Sequence, residues 1–114
     1  MDLDGWVDAY LDHLRVERAL SANSVGAYSR DLAKLCEHAE RQGALAAESL
    51  DESVVATYLV NLGEAGLSAR SAARHLSAVR GFSKFLMRER VLGSDPCALI
   101  DRPRIGRRLP RLLS

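Results

Sequence analysis

Apolar residues recur along this 114-residue chain at the spacing of an α-helix, and this periodicity constrains the fold more than any other feature. Near the N-terminus they occupy positions i, i+3, i+4, i+7, i+8 and i+11 of one helical face: Leu3, Trp6, Val7, Tyr10, Leu11 and Leu14. The pattern predicts a first helix over about residues 3–19, with Asp2 or Asp4 as its N-cap.

Three more segments carry the same periodicity, and each begins at a residue type that caps helices. The predicted caps of the second, third and fourth helices are, in order, Ser21 or Asn23, then Asp51, then Ser68. The second helix is expected over about residues 22–42 and stops at Gly43, whereas Gly63 and Gly66 bracket the end of the third. Because apolar content is 47% and aromatic content only 5%, an all-α bundle is favoured over a sandwich or barrel.

The C-terminal segment departs from this pattern. After Gly93, the residues SDPCALID predict a short fifth helix, with Asp95 as its cap and Pro96 in its first position. Residues 102–114 then hold two prolines, five arginines and no acid, which predicts an extended basic linker. We expect residues 1–101 to form one domain, and 102–114 to be a linker and the start of a further domain that is absent.

Composition argues against several other classes of protein. No apolar run approaches the roughly 18 residues that span a membrane, and the acidic N-terminus lacks the apolar core of a secretion signal. Cys36 and Cys97 have neither metal-ligand spacing nor disulfide density, so both are expected to be reduced thiols that pack in a cytoplasmic protein.

Charge is sorted along the chain, although the formal net charge is only +1. Residues 44–66 contain four acids and no base, whereas residues 67–114 contain eleven bases and three acids. On the fourth helix six positions fall within about 80° of one another, opposite the apolar face, and we call them the basic stripe: Arg70, Arg74, Ser77, Gly81, Lys84 and Arg88. Such a face is either solvated or bound to a polyanion.

Gly81 is unusual inside a helix, where glycine costs about 1 kcal/mol relative to alanine. With Ser77 it makes the middle of the basic stripe small, which suits close approach of a rigid anionic surface such as a DNA groove. On this interpretation a bulky residue in place of Gly81 stabilises the free domain and weakens DNA binding.

Two strings of the sequence resemble a known family: LSANSVGAYSRDL and, further on, SARSAARHLSAVRGFSKFLMRERVLGSDPCALIDRPRIGRRLPRLLS. They are similar to the N-terminal core-binding domain of tyrosine recombinases, especially the Xer group. The family pattern S-x-N-T-x-x-x-Y-x-x-D-L is matched by Ser21, Asn23, Ser24, Tyr28, Asp31 and Leu32, with serine in place of threonine. The resemblance implies a four-helix SAM-like core-binding domain with a short fifth helix and a basic linker.

The resemblance also implies a function. By this resemblance, the second and fourth helices of the chain would face duplex DNA. They would form half of a clamp that is closed by a separate catalytic domain. The implied DNA-binding residues are Asn23, Ser24, Arg30, Lys34, Arg70, Arg74, Ser77, Arg80 and Lys84. No catalytic residue, cofactor or metal is expected, and Tyr10, Tyr28 and Tyr58 lie on apolar faces rather than where a nucleophile would stand.

Partners follow from the same resemblance. They are double-stranded DNA and the other recombinase protomers of a tetramer, in a bacterial, nucleoid-associated setting. A monomer is expected for the isolated domain, and no membrane contact is expected. The implied protomer interface lies on the outer face of the first helix: Asp8, Asp12, Arg15 and Arg18. The role implied for the parent protein is chromosome dimer resolution. Two alternatives stay open: a helical protein–protein module that binds an acidic partner, and the same domain from a mobile-element integrase.

Overall fold

Four α-helices form the structure, which is a computed structural model that describes residues 2–44 and 46–98. They are α1 (Leu3–Val16), α2 (Ala22–Arg41), α3 (Glu52–Glu64) and α4 (Ala69–Arg88), with a short 3-10 turn at Ala47–Ser49. Within these described residues, β pairing is limited to an isolated bridge between Asp2 and Ala46. The predicted all-α fold is confirmed.

Each helix begins where a side chain accepts a hydrogen bond from a free backbone N–H of the first turn. The four bonds run from Gly5 to Asp2, from Ser24 to Ser21, from Val54 to Asp51 and from Ser71 to Ser68, over 2.9 to 3.2 Å. A cap of this kind contributes about 1 kcal/mol to stability. The structure therefore confirms the predicted caps and selects Asp2 and Ser21 where two candidates were open.

The helix ends were predicted less accurately than the starts. Gly43 and Gly66 adopt left-handed backbone, with φ of 81° and 80°, just beyond α2 and α3, as their sequence positions indicate. By contrast α1 ends at Val16 rather than near residue 19, because Ala19 takes a left-handed φ of 51° and turns the chain toward α2. Alanine carries no signal for that conformation.

The core lies where the predicted apolar faces of the four helices meet. Its most deeply buried large side chains include Leu32 and Leu35 of α2, Val55 of α3, and Phe82 and Leu86 of α4. The α1 face predicted from periodicity is buried against them, although its Trp6 is only half-buried. An aromatic group joins α1 to α4, since the ring centroid of Tyr10 lies 5.7 Å from that of Phe82 and 5.3 Å from that of Phe85.

Two buried histidines, which apolar periodicity did not place in the core, link the helices with hydrogen bonds. His38 of α2 contacts two residues of α3: its Nε2 lies 2.8 Å from Thr57 Oγ1, and its Nδ1 lies 2.9 Å from Asn61 Nδ2. Since the Asn61 amide donates to Nδ1, the ring is neutral with its proton on Nε2, where it donates to Thr57. Burial lowers the pKa of His38, and the nearby charge of Arg41 lowers it further.

The C-terminal predictions are only partly covered by the structure. Asp95 accepts a hydrogen bond from the backbone N–H of Cys97 at 2.9 Å, the bond expected of its role as a cap, and the fifth helix itself stays a prediction. The remainder of that helix, residues 99–101, and the linker predicted over 102–114 lie outside the described residues. Cys36 is a free thiol that is half-buried, and Cys97 is buried. Among the helices described, none has the length and apolar character needed to cross a bilayer.

Stability should fall as the solution is acidified from about pH 7.5 to 5.5, because burial lowers the pKa of both His38 and His75. Unfolded histidines titrate near pH 6.5, so below that value the unfolded chain takes up protons that the folded chain resists. The loss is at most about 1.4 kcal/mol per pH unit for each histidine. Urea unfolding at the two pH values measures it.

The variant His38→Gln separates this effect from acid titration elsewhere. It should be less stable than the parent at about pH 7.5, yet lose less free energy of unfolding on acidification. An equal loss in parent and variant would show that protonation of His38 does not set the pH dependence.

Candidate nucleic-acid interface

The basic stripe of α4 is not open to solvent along its whole length. Arg70, Ser77, Lys84 and Arg88 are exposed, but Gly81 at its centre is half-buried. A Cβ atom built on Gly81 would collide with the hydroxyl of Tyr10 on α1 and lie 3.4 Å from the Cζ of the same ring. The expectation that a bulky residue at position 81 stabilises the free domain is therefore wrong, because α1 packs against Gly81.

Beside that contact, α1 and α4 enclose a small basic pocket of about 180 Å³. Among the described residues its lining holds three cations and no carboxylate: Tyr10, His13, Arg18, Gly81, Lys84, Phe85 and Arg88. Arg18, which the sequence predicts at a protomer interface, lines this pocket together with three residues of the basic stripe, Gly81, Lys84 and Arg88. The sequence could not reveal this pairing, because Arg18 lies beyond the end of α1 and far from α4 along the chain.

Aromatic side chains hold the basic pocket in shape. The Arg88 guanidinium lies 5.7 Å from the centroid of the Phe85 ring, a cation–π distance, and its Nη2 is 3.3 Å from His13 Nε2. Burial raises the pKa of Tyr10, the Tyr28 hydroxyl adds to the increase, and the charge of Arg18 opposes it. Tyr10 therefore stays a neutral phenol near pH 7.

Arg74, also in the basic stripe, has a different environment from its neighbours. Its Nε lies 2.9 Å from Oδ2 of Asp31, and its Nη2 lies 2.9 Å from Oδ1 of the same carboxylate, which belongs to α2. Asp31 is 2% exposed, whereas the Arg74 side chain is 48% exposed. The hydrogen bonds to Asp31 raise the pKa of Arg74, so the guanidinium is permanently charged. Asp31 matches the family pattern in the sequence, but no sequence signal pairs it with Arg74.

A third helix joins this ion pair through His75 and Tyr58. His75 Nε2 lies 3.3 Å from Asp31 Oδ1, and His75 Nδ1 lies 2.8 Å from the hydroxyl of Tyr58 on α3. The Tyr58 hydroxyl also lies 3.2 Å from the backbone carbonyl of Asp31. Burial lowers the pKa of His75 and outweighs the opposing effect of the Asp31 carboxylate, so the ring is neutral near pH 7.

The other residues predicted to bind DNA lie mostly on exposed surface. Asn23, Ser24, Arg30, Lys34, Arg70, Ser77 and Lys84 are exposed, and Arg80 is half-buried. The Ser24 hydroxyl lies 3.2 Å from that of Ser21, so it belongs to the cap of α2. Lys34 lies close enough to His75 to lower its pKa electrostatically, together with Arg74. The structure thus brings Lys34 of α2 close to the part of the basic stripe that contains Arg74.

The acids of the domain gather elsewhere. A groove of about 520 Å³ between the start of α1 and the second half of α2 is lined by four carboxylates: Asp2, Asp4, Glu37 and Glu40. On the outer face of α1, Asp12 forms an exposed ion pair with Arg15 one turn later, and Asp8 is exposed. The assignment of Asp8, Asp12, Arg15 and Arg18 to a protomer interface stays a prediction.

Comparison with known proteins places this geometry in a family context. Residues 7–90 match the profile of the phage integrase N-terminal SAM-like domain. Over 107 residues the chain is 46% identical to the tyrosine recombinase XerC of Azotobacter vinelandii, which covers 94% of this chain and 36% of that protein. Over 111 residues it is 36% identical to the tyrosine recombinase XerD of Staphylococcus saprophyticus, covering 97% of this chain and 38% of that protein. The chain spans little more than a third of these curated relatives.

The packing of Gly81 against Tyr10 predicts that alanine at position 81 destabilises the domain. The gain of about 1 kcal/mol in helix propensity should be exceeded by overpacking, which costs roughly 1–3 kcal/mol. In a Tyr10→Phe background the obstructing hydroxyl is gone, and Gly81→Ala should become stabilising. Urea unfolding of the four proteins of this double-mutant cycle gives the coupling energy.

Gly63 offers a matched control within α3, since a Cβ there would meet nothing within 4 Å. Gly63→Ala should therefore stabilise the domain by up to about 1 kcal/mol in either background. If Gly81→Ala has the same effect as Gly63→Ala in the parent protein, the packing explanation of Gly81 is incorrect.

Proposed function

Because the chain belongs to the phage integrase N-terminal SAM-like domain family, we propose that it is the DNA-binding N-terminal domain of a site-specific tyrosine recombinase. The observation that carries the proposal is the arrangement of cations on α2, α4 and the segment after α1. Arg30 and Lys34 lie one turn apart on α2, and Arg70 lies exposed in the first turn of α4. With the basic pocket, they form a surface suited to several backbone phosphates at once.

The basic pocket is the part of this surface best suited to a single phosphate. Arg18, Lys84 and Arg88 converge on it from two elements, and in the part of the chain that the structure describes no carboxylate lines it. Arg88 is held over Phe85, so less side-chain freedom is lost when it contacts an anion. A phosphate group in this pocket would fix the register of α4 on the duplex, which is how backbone contacts position a protein before bases are read.

In this proposal the domain grips DNA and does not cut it. It forms one half of a clamp around the duplex, and the remaining two thirds of the parent protein would supply the other half and the chemistry. The relatives named XerC and XerD support a role in site-specific recombination, with resolution of chromosome dimers as our favoured process. A mobile-element integrase would use the same domain in the same way.

Contacts between protomers belong to the proposal as well. The acidic groove near the start of α1 shares no lining residue with the basic pocket, and Asp8, Asp12 and Arg15 are exposed on α1. We propose that this surface meets a neighbouring recombinase protomer in a tetramer on DNA.

Salt dependence of DNA binding tests the phosphate contacts. The chain should bind a labelled duplex of random sequence weakly, with an affinity that falls steeply between about 50 and 200 mM salt. The double variant Lys84→Gln with Arg88→Gln should reduce the slope of log affinity against log salt by about 0.9 for each phosphate that it no longer neutralises. Fluorescence anisotropy over a salt series measures both quantities.

Arg15→Gln is the matched control, because it removes one exposed cation from the outer face of α1. It should change neither the slope nor the affinity beyond the general effect of one charge. A parent chain whose affinity is independent of salt, or a double variant that behaves like Arg15→Gln, would refute the proposed phosphate surface. Binding to an acidic protein but not to duplex DNA would favour the protein–protein module instead.

A further inference from the structure

Among the cations of the basic stripe, Arg74 fits a role in binding phosphate least well. Its guanidinium makes two parallel hydrogen bonds of 2.9 Å to the Asp31 carboxylate, which is almost wholly buried. Arg70, one turn earlier, is exposed and has no ion-pair partner among the described residues. Two arginines on the same helical face therefore differ: the charge of Arg74 is compensated by a carboxylate, and among the described residues the charge of Arg70 is not.

The Asp31 carboxylate makes Arg74 a poor generic phosphate contact. A cation that binds a phosphate adds affinity by releasing counterions, and this depends on uncompensated positive charge. Arg74 and Asp31 together are neutral. If Arg74 left Asp31 for a phosphate, the buried carboxylate would lose its two charge-assisted hydrogen bonds and keep only His75 beside it. The pair should therefore persist when DNA is bound.

What remains available on Arg74 is a fixed pair of donors. A guanidinium has five N–H groups, and Asp31 uses one on Nε and one on Nη2. One N–H on each of the two Nη atoms is left as a parallel fork, on a side chain that is 48% exposed. Two acceptors side by side match that fork, and in duplex DNA the major-groove edge of guanine presents them as O6 and N7.

The position of Arg74 agrees with this chemistry. It stands in the second turn of α4, near the N-terminal end that recognition helices direct at base edges when they lie in a major groove. Asp31 lies on α2, so the fork is held by two helices at once rather than by one flexible side chain. A donor pair held in this way loses little conformational freedom on binding.

We propose that Arg74 reads a guanine in the major groove of the target DNA, and that Asp31 is the positioning residue that holds its guanidinium for this contact. The inference rests on the proposed DNA-binding function and assigns base specificity within it. It divides the stripe into Arg74, which selects sequence, and the remaining cations, which supply affinity.

Selection from a pool of random-sequence duplexes tests the proposal with the 114-residue chain. The parent should enrich sequences with one strongly preferred guanine. Arg74→Lys keeps the charge but cannot form the fork, so the guanine preference should drop by roughly five- to 150-fold while the salt slope stays unchanged. Arg70→Lys is the matched control and should keep the preference. Asp31→Asn should weaken the preference, measured well below a melting temperature determined by circular dichroism.

The outcomes separate the two proposals. A parent that binds no duplex at about 50 mM salt refutes DNA binding itself. A parent that binds DNA but enriches no guanine overturns the role of Arg74 alone. The same conclusion follows if Arg74→Lys keeps the preference, or if Arg74→Gln lowers only the salt slope, as Arg70→Gln should. If Asp31→Asn binds DNA with an unchanged preference, Asp31 does not position Arg74.

Discussion

The arrangement of this domain depends on the interactions that the buried Asp31 carboxylate makes with neighbouring helices. The carboxylate stands on α2, accepts two hydrogen bonds from Arg74 of α4, and lies beside His75, whose ring reaches Tyr58 of α3. A carboxylate this deeply buried requires its partners, because an unpaired charge in the interior is far more costly than one in water. The relative placement of α2 and α4, and hence of their exposed cations, follows from this one group.

The apolar core and the polar links have separate tasks. Leucines, valines and phenylalanines supply the hydrophobic stabilisation, but such side chains tolerate rotation or sliding of one helix on another. His38 donates a hydrogen bond to Thr57 and accepts one from Asn61, which sets the position of α3 along α2, and the Asp31 group does the same for α4. Close packing of Gly81 on Tyr10 then sets the approach of α1.

Local signals explain why so much of the fold could be predicted from the sequence. Capping residues and apolar periodicity act within a few residues of one another, and all four helix starts and the core-facing sides of the helices agree with the structure. Asp31, His38 and His75 were not placed in the core because the predicted faces were built from apolar periodicity. A signal existed: His38 lies seven residues after Asp31, beside Leu35 and Ala39, on the buried side of α2. The partners of Asp31 and Gly81 are distant in sequence, so periodicity could not identify them.

The separation of the acidic groove from the basic pocket affects the rate at which the domain associates with a polyanion. With acids near the start of α1 and cations beyond its end, opposite charges are separated across the domain, although the formal net charge of the 114-residue chain is only +1. In the field of a polyanion, such a molecule turns its cationic end forward before contact, so a larger share of collisions is productive. This steering fades as salt shortens the Debye length to about 8 Å at physiological ionic strength. Charge sorting thus acts on the association rate even where it adds little to equilibrium affinity.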